Sequence, residues 1–118
     1  MDIRELFDDL KNESVDVLAA TLRHLLKGMT YEECDDMRHT MKWFAFGSWE
    51  DMCAYEDELM GAERGYTDRV KRYSLTDKEN QQALLHLQYA RERFQQAKVK
   101  HSQADRFYLV LRKVIVSL

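Results

Sequence analysis

The chain has 118 residues, a third of them charged, no proline, four glycines and a formal net charge of −3, a composition that favours long helices and excludes sheet-rich, collagen-like or disulfide-dense architectures. Its two cysteines, Cys34 and Cys53, carry no CxxC or histidine spacing that would indicate a disulfide framework or a zinc site. No apolar run is long enough for a transmembrane helix, and the acidic opening MDIRELFDDL is unlike a signal peptide. These features predict a cytoplasmic, all-α protein of one domain, residues 1–118, built as a bundle of about five helices.

Asp2 with Glu5 three residues later reads as a capping pair, and Ile3, Leu6, Phe7 and Leu10 follow as one apolar helix face. Asn12 or Ser14 can cap a second helix, whose buried stripe is Val15, Leu18, Leu22, Leu25 and Leu26 and whose end is set by Gly28. Thr30 and Glu33 form the clearest capping box in the chain, with Met29 and Cys34 placed as a hydrophobic staple across it. A third helix is therefore expected from about Tyr31, burying Cys34, Met37, Met41, Phe44 and Ala45 and stopping at Gly47. Ser48, with Asp51 in the capping-box place, then predicts the start of a fourth.

Met52, Tyr55, Leu59, Ala62, Tyr66, Arg69 and Tyr73 recur at alternating steps of three and four, so the fourth helix is expected to run to Tyr73. A break between Gly61 and Gly65 is the competing reading, because glycine inside a helix costs about 1 kcal/mol. Ser74 and Leu75 form the expected turn, and Thr76 with Glu79 opens a fifth helix from about Asp77 to near Leu118. Its seam, Ala83, Leu87, Ala90, Phe94, Ala97, His101, Ala104, Tyr108, Leu111, Ile115 and Leu118, is an unbroken coiled-coil-like heptad. A short turn makes the last two helices an antiparallel hairpin, residues 48–118, set beside head helices in 1–47 and bringing Met52 near Lys98. Beyond Phe107 the final helix is apolar on almost every side, so either the head helices or a second copy must cover it. Phe107, Val110, Val114 and Leu118 are the candidate self-association residues of a homodimer.

Charge is divided along the chain: residues 1–63 hold 16 acidic and 6 basic side chains, residues 64–118 hold 5 and 12. Either the halves neutralise each other in the folded protein, or one of them faces a partner. The acidic candidates for a protein-binding face are Glu32, Asp35, Asp36, Glu50, Asp51, Asp57 and Glu58. They predict a small protein-interaction or regulatory module, an adaptor or an inhibitor of the phage type, that engages a larger protein or nucleoprotein complex at a basic groove. In the alternative, Arg64, Arg69, Arg72, Arg91 and Lys98 follow a nucleic-acid backbone.

LLKGMTYEECDDM, residues 25–37, resembles the opening of a sigma-factor type helix-turn-helix, which implies DNA binding. That family continues with a second turn and a polar recognition helix, whereas Met37–Phe46 stays apolar and WEDMCAYEDEL is acidic. A magnesium-dependent hydrolase similar to the all-α nucleotide pyrophosphatases is the remaining alternative. Glu32 with Asp35, or Glu33 with Asp36, supplies one E-x-x-D pair, but Glu56 is followed by Leu59, so the second is missing. Asp36 and His39 give a single D-x-x-H, short of a diiron set. With no nucleophile elbow and no phosphate-cradling glycine loop, neither catalytic residues nor a cofactor is expected. His101 stands in the seam between Phe94 and Tyr108, either as a satisfied core or boundary histidine or, in the alternative, as a pH-sensitive register device in which charging the ring loosens the helix pairing.

Overall fold

A computed structural model describes residues 2–72 and 77–118, and these form four α-helices and no strand: α1 Ile3–Leu10, α2 Val15–Leu26, α3 Tyr31–Arg72 and α4 Asp77–Ser117. The starts follow the capping chemistry. Asp2 accepts from the Arg4 N–H at 2.9 Å and Ser14 from the Val17 N–H at 3.3 Å. Thr30 Oγ1 accepts from the Glu33 N–H at 3.2 Å while Glu33 Oε1 accepts from the Thr30 N–H at 3.4 Å, a reciprocal capping box that satisfies two otherwise orphaned donors. Gly28, at φ +94°, supplies the left-handed residue that turns the chain out of α2. The expected Ser74–Leu75 turn, the Thr76 cap and Tyr73 of the seam lie outside the described residues.

The helix does not stop at Gly47 and restart at Ser48; α3 runs through both, and through Gly61 and Gly65, for 42 residues. Four helices therefore replace the expected five. The Ser48 hydroxyl is not a cap: it donates to Ala45 O at 2.7 Å, three residues back on the same helix. A Cβ placed on Gly47 would meet nothing within 4 Å. Gly47→Ala is accordingly expected to stabilise the fold by roughly 0.5–1 kcal/mol, through the lost backbone freedom of glycine in the unfolded chain. A fall in the thermal midpoint would show that the helix is interrupted there.

The chain divides into two compact units, residues 1–48 with 100–118 and residues 49–99. Unit 1 contains α1, α2 and the ends of the two long helices. Its core joins Ile3 and Phe7 of α1 and Leu18, Leu22 and Leu26 of α2 to Cys34, Met41 and Ala45 of α3 and to Ala104, Phe107, Val110, Leu111 and Val114 of α4. The Phe7 ring meets Phe44 at 5.1 Å and Phe107 at 5.5 Å between centroids, both edge to face, the arrangement that aromatic quadrupoles favour. Unit 2 contains only the rest of α3 and α4. Among its described residues only Leu87, Ala90 and Ala97 are buried, because two helices alone can cover little more than one stripe on each. Within unit 2, Glu58 meets Arg93 and Glu63 meets Arg91, so partners descend along α4 as they ascend along α3 and the two segments there are antiparallel neighbours.

The uneven charge along the sequence is folded away. Unit 1 holds 11 acidic and 10 basic residues, and unit 2 holds 10 and 8.

Candidate functional site

The core of unit 1 fixes which side of α3 faces out. Met41 and Ala45 are buried, and a residue two positions beyond Met41 is rotated about 200° around the helix from it. Trp43 holds that position and is 65% exposed. Glu32, Asp36, His39, Trp43 and Phe46 follow one another at steps of four, three, four and three, so they form one outward stripe. Phe46, 47% exposed, lies edge-on to the Trp43 indole at 5.9 Å. The result is a rigid aromatic pair on a helix surface, approached along the same stripe by exposed carboxylates at Glu32 and Asp36.

Asp35 sits beside this stripe but is turned to its own helix. It accepts from Arg38 Nε at 3.1 Å and Nη2 at 2.7 Å, and stands 3.4 Å from His39 Nε2. The hydrogen bond from Arg38 holds the Asp35 carboxyl below its ordinary range, and Arg38 in turn is raised, chiefly by Asp35. Asp35 is thus engaged within the chain. Glu58 is likewise engaged, accepting from Arg93 at 3.1 Å, while Arg93 also lies 4.7 Å from the Tyr55 ring centroid and 5.2 Å from that of Tyr89. Glu50, Asp51 and Asp57 are exposed on α3 within unit 2.

Of the basic candidates, Arg64 and Arg69 are exposed, Arg91 approaches Glu63 at 3.9 Å, and Lys98 lies 6.0 Å from the Phe94 ring centroid. The Arg72 side chain lies outside the described residues. The four self-association candidates separate. Phe107, Val110 and Val114 are taken into the chain's own core by α1, α2 and α3, whereas Leu118 remains exposed. The head helices therefore supply the cover for which a second copy was the alternative.

His101 is half-buried, and its Nδ1 lies 3.1 Å from Ser48 Oγ. Since the Ser48 proton goes to Ala45 O, the hydroxyl offers the ring only a lone pair, and His101 must donate from Nδ1. The neutral Nδ1–H tautomer and the imidazolium present that same donor. The seam histidine is thus satisfied by Ser48, a buried polar side chain beside Ala45.

Among the described residues no group of three or more His, Cys, Asp or Glu side chains is gathered as for a metal ion, and no helix is long and apolar enough to cross a membrane. Both thiols are free, and burial pushes Cys34 above the usual thiol range. The helix-turn-helix resemblance ends at the start of α3, which continues to Arg72 without the second turn that such a motif requires. Comparison with protein-family models, curated proteins and solved structures gives no match.

The sequence reading named the acidic side of this surface but missed Trp43 and Phe46. Their signal was phase: both fall outside the Cys34–Met37–Met41–Ala45 stripe, and a tryptophan out of phase with a helix core points to solvent.

Proposed function

We propose that the chain is a small protein-interaction module that docks a partner on the outer stripe of α3, and that it acts by binding rather than by catalysis. The observation that supports this reading is the exposed Trp43–Phe46 pair on a stripe with Glu32 and Asp36. Tryptophan is the side chain most enriched among residues that dominate interface energy, and here its orientation is already fixed by the helix. The matching partner surface has an apolar recess for the indole and Lys or Arg side chains around it. Covering such a surface is how an adaptor or an inhibitor of a nucleic-acid-binding groove would act.

The test is capture from native cell extract on the immobilised full chain and on a Trp43→Ala/Phe46→Ala variant side by side. The expected result is a basic protein retained by the parent chain, released by salt, and bound by the variant at least about tenfold more weakly. Both side chains lie outside the core, so the thermal midpoint of the variant stays close to that of the parent. Equal retention by the two would overturn the reading. The nucleic-acid alternative has less support, since Arg91 and Lys98 already have neighbours in the chain and unit 2 carries more acidic than basic residues.

A further inference from the structure

Unit 2 buries little, and one part of its surface is complementary to itself. Met60 of α3 is 44% exposed, and beside it lies a groove of about 270 Å³ lined by Met60, Glu63, Arg64, Thr67 and Asp68. Asp57 and Arg64 flank Met60 on the same side of the helix, both exposed, and neither has an ion-pair or hydrogen-bond partner among the described residues. They cannot satisfy each other, because seven residues of helix hold them about 10 Å apart. Gly61, next to Met60, has nothing within 4 Å of where a Cβ would stand.

We propose that this face, centred between Met60 and Gly61, is where a second copy of the chain docks. With the two α3 helices antiparallel and the twofold axis passing between residues 60 and 61, each Met60 lies against the bare backbone at Gly61 of the other copy. Asp57 of each then stands opposite Arg64 of the other. A twofold contact makes every pairing twice, so two ion pairs form around a central apolar contact. The thioether is flexible enough to fill the space that glycine leaves. The parallel arrangement would instead set Asp57 against Asp57 and Arg64 against Arg64, so the charges select a reversed copy of the same surface. This contact is separate from the Trp43 stripe and stands or falls without it.

Sedimentation equilibrium of the full chain at low salt provides the test. The parent chain is expected at twice its 14.1 kDa mass. Asp57→Arg alone and Arg64→Asp alone each put like charges opposite one another twice, and each raises the dimer dissociation constant roughly tenfold or more. Mixing the two single variants in equal amounts restores complementarity in the heterodimer, and the double variant D57R/R64D restores it in the homodimer, so both sediment as the parent does. Thermal melts of the variants check that the folded chain is intact. A parent chain that sediments as a monomer at micromolar concentration overturns the proposal and leaves this face to a different partner. So does a dimer indifferent to the single changes, or a mixture no tighter than its components.

Discussion

Phe107→Ala is expected to destabilise the protein by about 3–5 kcal/mol, the range for removing a fully buried aromatic ring. Phe107 is 0% exposed, and its ring is the α4 side of the edge-to-face contact with Phe7, which itself reaches on to Phe44. Truncation removes the transfer energy of the ring and leaves a cavity where α1, α3 and α4 meet. None of these helices can move in to fill it without giving up other buried contacts, such as Met41 and Leu111. For a chain of this length the thermal midpoint falls by roughly 10 °C or more. Leu85→Ala is the control: it removes an exposed side chain of α4 and changes stability by less than about 0.5 kcal/mol. A Phe107 variant that melts within a few degrees of the parent would mean that the C-terminal end of α4 is not packed into this core.

Arg106→Met carries the second large effect, about 2 kcal/mol, and acts on the other side of the same unit. Arg106 Nη2 donates to Lys11 O at 2.9 Å and to Glu13 O at 2.6 Å. These carbonyls lie at the end of α1 and in the turn that follows, where the helix has run out of N–H donors and its dipole favours a cation. Gln103, one turn earlier on α4, donates to Asn12 Oδ1 at 2.8 Å. Two side chains of α4 thus fasten the α1–α2 turn. Hydrogen bonds to a charged donor are worth about 1.5–3 kcal/mol each. Part of that gain is offset, because Arg106 Nε is buried without an acceptor among the described residues and its burial costs free energy. Methionine keeps the apolar stem and loses both bonds, so the measurement isolates the clamp. Thermal melting gives the size of the effect, and amide hydrogen exchange gives its place: protection should fall in residues 2–14 before it falls in α3. Uniform loss of protection across the chain would argue against a local clamp.

Both predictions concern contacts far apart in sequence, and this marks the limit of what the sequence shows. The helix starts at Asp2, Ser14 and Thr30 were legible because a cap is a bond between residues two or three apart. Gly28 was legible because a left-handed turn has few other occupants. The same local logic misled at Gly47 and Ser48. A glycine followed by a serine and, three residues on, an aspartate has the chemistry of a stop and a start, yet the apolar stripe keeps its phase through the pair, from Cys34 and Met41 to Met52 and Leu59. Packing against α4 overrides the cap: the Ser48 hydroxyl donates to Ala45 O and its oxygen faces His101 Nδ1 at 3.1 Å. The candidate site was half legible. Its carboxylates stand out by composition, but whether each one is free depends on neighbours such as Arg38 for Asp35 and Arg93 for Glu58.

Period and capping, which act over a turn or two of helix, determined by themselves that the chain is all-helical and where most of its helices begin. Those interactions need only neighbours in sequence, so they are written there. Only the tertiary structure decided that one helix spans residues 31–72 and that the apolar end of α4 is covered by α1, α2 and α3. It also decided that Trp43 is left on the surface. Each of these depends on which surfaces meet once the chain is folded, and burial, unlike helical period, is a property of the assembled core.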